Sequence, residues 1–226
     1  MGRYAYGLKL LRKGYRSLAI SAGSVGNEVT YPENEWIDVP NNGAYIAEKG
    51  GLTCGGIGSK IALFECDPSY EIDVRDRPWG VRCFARVKRL PGPPLPGEYG
   101  QIKIVNEGTV GQWPPGGGKF ETTLILLNNA ECFEQRHGTV ICYDNSGNVQ
   151  QKGGLAVFYG RSYSEHQING RAVCRESSAS IWQHGGYVYC YEGSHSVNRC
   201  DGVEYRHPYN KPYLYPVPLG VERTVV

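Results

Sequence analysis

A sixteen-residue repeat in the C-terminal half constrains this chain more than any other feature. Glycine recurs at Gly138, Gly154, Gly170, Gly186 and Gly202, and serine recurs, offset by eight, at Ser146, Ser162, Ser178 and Ser194. Each unit therefore divides into two octapeptides, and each octapeptide is long enough for one short strand and one turn. A short fixed period whose single unit cannot bury its own apolar side predicts a two-sided β-solenoid. A plain antiparallel meander with regular turns is the alternative.

The side chains of a strand alternate between two faces, so each octapeptide has an inward and an outward set. In the octapeptides that begin with glycine, the inward set is apolar: Leu124, Leu126, Val140, Cys142, Ala156, Phe158, Ala172, Cys174, Val188 and Cys190. This pattern fails at Glu204 and Arg206, which predicts about five coils that end at a charged stop. In the octapeptides that begin with serine, strict alternation places these residues inside: Phe133, Val149, Glu165, Ile181 and Val197. Glu165 is the exception to an otherwise apolar column.

The outward set of the glycine octapeptides is too apolar to be left exposed to water. Its candidate interface residues are Ile141, Tyr143, Val157, Tyr159, Tyr189 and Tyr191. Either the N-terminal half of the chain covers this face, or a partner protein or a second copy binds it.

The composition favours an all-β protein of more than one part. A chain of 226 residues with 31 Gly, 14 Pro and 17 Tyr is long enough for two modest domains and rich in turn-forming residues. We predict a β-rich N-terminal domain over 1–90, a Pro/Gly-rich connector over 91–121, the solenoid over 122–207 and an extended Pro/Tyr arm over 208–226. Tyr209, Tyr213 and Tyr215 of the arm are further interface candidates, because their rings could anchor it on its own chain or on a neighbour.

The charge and the hydropathy of the sequence limit the kinds of partner and the cellular location that we expect. The net charge of +2 is not concentrated in a basic stripe, which argues against nucleic acid as a partner. The N-terminal segment lacks the continuous apolar core of a signal peptide, and no run approaches the length of a membrane span. We therefore expect a soluble protein that is made in the cytoplasm and has protein partners or associates with itself.

The eight cysteines form no C-x-x-C pair and no spacing typical of a zinc site. Cys174 and Cys190 fall in the interior column, where we expect free thiols. Cys54, Cys66 and Cys83 are the better disulfide candidates, provided that the protein ends in an oxidising compartment.

The sequence predicts no catalytic residue, no cofactor site and no metal site. Its glycine-rich stretches do not satisfy the phosphate-loop pattern, and the nucleophile elbow G-x-S-x-G is absent. The five histidines show no metal-binding spacing such as H-E-x-x-H. The repeats offer no paired carboxylates on one outward column, so glycosidic chemistry is not expected there.

The opening, Tyr6-Gly7-Leu8-Lys9-Leu10 followed by Gly14-Tyr15-Arg16, resembles the start of small phage tail-associated proteins, which often begin with a Tyr-Gly-Leu strand. The octapeptide pattern from about 130 to 207 is similar to short-repeat β-rich segments of bacterial and phage proteins. The resemblance implies incorporation into a virion, for example into a phage tail. Our first hypothesis is a non-enzymatic structural or interaction protein of such an assembly. The second is a ligand-binding or catalytic N-terminal domain carried on a solenoid stalk.

Overall fold

The computed structural model describes residues 4–11, 29–40, 43–47, 60–73, 81–92, 102–117, 122–191, 194–199 and 201–206. Over these ranges the protein is all-β, with short 3-10 turns between some of the strands. Within the same ranges, no helix is both long enough and apolar enough to cross a membrane. The chain divides into two compact units, residues 1–100 and residues 101–226.

The N-terminal unit is built on one antiparallel sheet with the order β2-β6-β4-β1-β3-β5. Its strands are β1 (Ala5–Leu11), β2 (Trp36–Asp38), β3 (Ala44–Ala47), β4 (Lys60–Cys66), β5 (Val81–Phe84) and β6 (Arg86–Arg89). Only Ala85 separates β5 from β6, yet β5 lies at one edge of the sheet and β6 lies near the other. The sheet therefore curls round on itself and encloses an apolar core that includes Phe64, Phe84 and Val87.

The C-terminal unit is a two-sided β-solenoid, as the repeat predicts. We call its two sheets the G sheet and the S sheet. The G sheet contains β7 (Ile102–Val105), β9 (Thr123–Leu126), β11 (Thr139–Cys142), β13 (Leu155–Phe158), β15 (Arg171–Cys174), β17 (Tyr187–Cys190) and β19 (Val203–Arg206). The S sheet contains β8 (Thr109–Trp113), β10 (Glu131–Gln135), β12 (Gly147–Gln151), β14 (Tyr163–Gln167), β16 (Ala179–Gln183) and β18 (His195–Arg199).

Neighbouring strands of both sheets run parallel, and in the regular coils each residue pairs with the one sixteen positions along, as Val140 pairs with Ala156. This pairing excludes the antiparallel meander, in which consecutive strands would hydrogen-bond each other in opposite directions. The regular part has about five turns over residues 123–205.

The solenoid extends beyond the predicted boundary at residue 122. Strands β7 and β8 lie inside the predicted connector 91–121, yet they pair in parallel with β9 and β10. The repeat pattern could not reveal this first coil, because Ile102 pairs with Thr123 across an interval longer than sixteen residues. At the other end, β19 still pairs with β17, and Glu204 is buried in the interior column with its Oε1 3.5 Å from Cys190 Sγ. The predicted charged stop is therefore part of the last strand.

The two turns of each coil use different residues. The turn from the S sheet to the G sheet has glycine at positive φ in every coil, for example Gly154 with φ 76°. A Cβ on Gly154 would lie 2.5 Å from the carbonyl oxygen of Gly138, so the close approach of successive coils requires glycine here. The turn from the G sheet to the S sheet also has positive φ, but Asn128, Asp144, Gly160 and Glu176 hold its equivalent positions.

The prediction for the interior of the G sheet is confirmed, and the prediction for the interior of the S sheet is wrong. In β10, Cys132 and Gln135 are buried, while Phe133 is exposed and Glu134 is half-buried. The pairing of β10 with β12 skips Phe133, because Cys132 pairs with Asn148 and the next pair begins at Glu134. Each S-sheet strand is thus kinked at its middle residue, and the kink turns two consecutive side chains outward.

The kink reverses the predicted parity at Phe133, Val149 and Glu165. Phe133 and Glu165 are exposed and Val149 is half-buried, so none of the three lies in the interior. Ile181 and Val197 hold the equivalent positions of β16 and β18. The interior positions belong instead to Cys132, Asn148, Ser164 and Ser180, which are all fully buried.

Polar ladders fill the S side of the interior. Gln151 is fully buried, and its Nε2 donates to the carbonyl oxygens of Gly154 in its own turn and Arg171 in the next coil. Gln135, Gln167 and Gln183 repeat this pattern. Likewise, the single hydroxyl proton of Ser146, Ser162, Ser178 and Ser194 is in each case shared between a carbonyl oxygen three residues back and one twenty residues back, both within hydrogen-bond distance. These bonds join successive coils and offset the cost of burying amides and hydroxyls.

Candidate interaction surface

Most of the apolar side chains on the outward side of the G sheet are buried, while Tyr187 is 46% exposed. The interface candidates on this side, Ile141, Tyr143, Val157, Tyr159, Tyr189 and Tyr191, are at most 7% exposed. Tyrosine rings of neighbouring coils also pack on each other, and Tyr143 stacks on Tyr159 with 5.1 Å between the ring centroids. These side chains are buried, and both the covering of this face and the interface role of its residues stay predictions.

Burial changes the acidity of the tyrosines on this side. The pKa of Tyr189 and the pKa of Tyr191 are both raised, first by burial and then by neighbouring tyrosines. Their hydroxyls therefore stay protonated throughout the physiological range, and these tyrosines add contact area rather than charge.

Tyr209, Tyr213 and Tyr215 of the predicted arm lie outside the described residues, as does Cys54. Cys66 and Cys83 are thiols buried in the core of the N-terminal unit. Disulfide formation by these three cysteines therefore stays a prediction.

The cysteines of the solenoid interior are buried free thiols, as predicted for Cys174 and Cys190. Burial raises the pKa of Cys132 to about 12 and raises the pKa of Cys142 well above its ordinary value. A hydrogen bond with Cys174, reinforced by burial, raises the pKa of Cys190. Because the thiolate is the reactive form, these cysteines serve as interior packing and are poor nucleophiles.

The outward side of the S sheet carries the exposed apolar surface of the solenoid. We define the S face as this side of β10, β12, β14 and β16 together with the turns that follow them. On it, Phe133 is 50% exposed and Trp182 is 41% exposed, and Ile168 is exposed in the turn after β14. Large aromatic side chains on a rigid sheet are typical of interaction surfaces, since little conformational entropy is lost when they are buried.

The S face also carries both signs of charge. The Glu134 carboxylate accepts hydrogen bonds from Arg136 and from Lys152 on the next coil, the latter at 2.5 Å. The hydrogen bond from Lys152, followed by that from Arg136, holds the pKa of Glu134 below its ordinary value. The aromatic side chains are thus set beside a small cluster of opposite charges.

Tyr163 lies flat across this sheet because Gly147, on the preceding coil, has no side chain. A Cβ on Gly147 would lie 2.7 Å from the ring of Tyr163. The ring therefore reaches over one coil, and its hydroxyl donates to Glu131 Oε1 at 2.9 Å. Burial, followed by this hydrogen bond, raises the pKa of Tyr163 to about 12.

Two histidines meet at the centre of the S face. His166 Nδ1 and His184 Nε2 are 3.4 Å apart, and the two rings stack at 5.6 Å between centroids. Trp182 pairs with His166 across the sheet, and His184 follows two residues after Trp182. The sequence contains the signal for this pair, because a separation of eighteen residues is one coil plus two positions. A search for contiguous metal motifs could not find it.

The buried amine of the N-terminal unit is satisfied by its own core. Lys9 is 7% exposed, and its Nζ donates to the Tyr45 carbonyl at 3.3 Å and lies 5.7 Å from the centroid of the Tyr31 ring. Burial lowers the pKa of Lys9 to about 8. The environment of the amine, among the described residues, is that of a core residue.

The fold places the chain in a general class, the all-β proteins with a β-solenoid. No protein-family model matches the chain, and neither the curated proteins nor the solved structures contain a match.

Proposed function

We propose that this is a non-enzymatic structural or interaction protein whose S face packs against a second copy of the chain. The observation that carries the proposal is the outward turn of Phe133 together with Trp182, which puts large aromatic side chains on the water-facing side of a rigid parallel sheet. Phe133, which strict alternation would have hidden in the core, is thereby available for contact.

The charges on the S face favour a second copy as the partner. A two-fold interface brings the same patch together from both chains, so that patch must be complementary to itself. Glu134 lies beside Arg136 and Lys152, so a neighbour related by two-fold symmetry can offer each charge an opposite one. Interfaces between proteins commonly combine exposed aromatic side chains with charged ones, as this face does.

The setting that we propose is a larger assembly such as the tail of a phage particle. The support is the resemblance of the opening strand, Tyr6 to Leu10, to phage tail-associated proteins, together with the repetitive solenoid. A solenoid whose coils are joined by buried amide and hydroxyl ladders suits a mechanical role, because each coil is bonded to its neighbours along its length.

The solution mass of the purified chain tests the proposal. Light scattering is expected to give a discrete oligomer rather than the 25.0 kDa monomer. The double variant Phe133→Ser, Trp182→Ser is expected to shift the mass to the monomer, while Glu165→Gln on the same face leaves the oligomer intact. A wild-type monomer, or an oligomer that is unchanged in the double variant, would contradict self-association through this surface.

A reductant gives a further arm of the same experiment. The described solenoid cysteines are buried free thiols, so association through the S face is expected to persist when reductant is added. Loss of the oligomer on reduction would assign the contact to a disulfide instead.

A further inference from the structure

We propose that His166 and His184 form a two-imidazole binding site for a divalent transition-metal ion such as Zn²⁺, Ni²⁺ or Cu²⁺. Water molecules would complete the coordination shell. Imidazole nitrogen is a preferred ligand of these ions.

The spacing of the two nitrogens fits a shared ion. With metal-to-nitrogen distances of about 2.0–2.1 Å, two ligands of a tetrahedral ion stand about 3.3 Å apart. His166 Nδ1 and His184 Nε2 are 3.4 Å apart. The separation of the two nitrogens therefore matches the spacing of two ligands on one ion.

The scaffold holds the pair in place and leaves it open to solvent. His166 belongs to β14, and His184 follows directly after β16, its neighbour in the S sheet. The backbone of the sheet fixes both Cα positions, and its buried Gln167 and Gln183 bond adjacent coils immediately beside the histidines. His184 is exposed and His166 is half-buried, so an ion can reach them from water without local unfolding.

The proton between the rings does not block the site. In the hydrogen-bonded pair, one of the two facing nitrogens carries a proton and the other offers its lone pair. A neutral imidazole can carry its proton on either nitrogen, so the donor ring can hold it on the nitrogen that faces away. Both facing nitrogens then offer lone pairs to the ion, and the net proton count of the neutral pair is unchanged.

The number of ligands sets the expected affinity. Among the residues that the structure describes, no group of three or more His, Cys, Asp or Glu side chains is placed to hold a metal ion. A two-ligand site binds more weakly than a four-ligand structural zinc site, and we expect a dissociation constant of about 1–100 μM.

Isothermal titration calorimetry of the full chain with ZnCl₂, and separately with NiCl₂, tests the site. The wild type is expected to bind in the micromolar range, and His166→Ala and His184→Ala are each expected to weaken this binding at least about tenfold, since either leaves a single imidazole. His137→Ala is the matched control, because it removes a histidine from the same unit without touching the pair, and it is expected to bind as the wild type does.

Two results would overturn the proposal. One is the absence of micromolar binding by the wild type. The other is binding by His166→Ala and His184→Ala that equals the wild type, which would place the ion elsewhere on the chain. Circular dichroism of each variant establishes that the solenoid is intact. The variant Phe133→Ser changes a residue of β10, two strands away from His166 in the S sheet, and it is expected to bind the metal at least as tightly as the wild type, because loss of self-association leaves the pair open to water.

Discussion

The G sheet and the S sheet enclose one interior, yet they contribute opposite kinds of side chain to it. The four-residue strands of the G sheet alternate regularly and bury residues such as Leu124, Val140 and Phe158. The five-residue strands of the S sheet are kinked, and they bury Asn148 and Gln151 while Phe133 faces water. When a strand is kinked, the polarity of a recurring set of residues therefore does not show whether that set faces the interior or the water. Backbone pairing decides which residues are inside.

The largest difference in stability is expected between two variants that each truncate one phenylalanine, one in the G sheet and one in the S sheet. Phe158 is fully buried on the G side, so Phe158→Ala is expected to lower the free energy of unfolding by about 3–5 kcal/mol. Phe133→Ala, on the S side, should change it by less than about 0.5 kcal/mol, because half of that side chain is already exposed. Urea denaturation followed by far-UV circular dichroism measures both. Equal losses would mean that Phe133 belongs to the core.

Substitutions in the two kinds of turn that join the sheets should also differ strongly in how far they lower the free energy of unfolding. Gly154→Ala places a Cβ against the carbonyl oxygen of Gly138 at positive φ and is expected to cost about 3 kcal/mol. Gly160→Asn is the control in the opposite turn, where Asn128 holds the equivalent position, and its cost should stay below about 0.5 kcal/mol. The thermal midpoints of the two variants give the comparison. A harmless Gly154→Ala would show that the coils are less closely stacked than described.

Two adjacent glutamines in strand β12 test which of its side chains face inward, with a smaller expected change in stability. Gln151→Ala removes the amide that donates to two buried carbonyls, and it should cost about 2 kcal/mol. Gln150→Ala changes the neighbouring, half-buried side chain on the outward side and should cost less than about 0.5 kcal/mol. The two urea midpoints are compared at unchanged m-value. If Gln150→Ala cost the more, the strand would have the opposite parity.

Much of this architecture could be predicted from the sequence, because the spacing of the repeat indicates which residues pair between successive coils. The spacing of Gly138, Gly154 and Gly170 gives the coil length, and the apolar G column gives one inward face. The parity of the S sheet could not be predicted in this way, because the kink at Phe133 is a backbone feature that no residue type marks. The first coil was missed because the loop between β8 and β9 lengthens it.

The candidate site follows from the same distinction. The sequence predicts Phe133 and Val149 in the interior because large apolar residues are usually buried, whereas the kinked strands leave Phe133 exposed and Val149 half-buried. The contact between His166 and His184 could be predicted only after the coils were aligned, since the two residues are far apart in sequence.

The smallest expected effect concerns the charge cluster of Glu134, Arg136 and Lys152 on the S face, where the measured quantity is the pKa of Glu134. Lys152 and Arg136 lower the pKa of Glu134, so the ionised carboxylate favours the folded state above the ordinary glutamate pKa, and this contribution is lost as the pH falls through the lower folded value. NMR of the side-chain carboxyl during an acid titration should show Glu134 titrating below ordinary glutamates. Lys152→Ala should move that midpoint back towards the ordinary value. A Glu134 midpoint that ignores Lys152→Ala would mean that the two groups do not interact in solution.

Cysteine labelling at two consecutive positions of β12 tests the kinked S sheet most directly. Asn148→Cys and Val149→Cys are each treated with a maleimide in the folded state, and mass spectrometry of the peptide that carries the position measures the modification. The account predicts rapid labelling of the Val149→Cys variant and protection of the Asn148→Cys variant, since Asn148 is fully buried and Val149 is on the outward side. Protection of Val149→Cys with rapid labelling of Asn148→Cys would restore strict alternation, and it would remove the aromatic S face on which the proposed function rests.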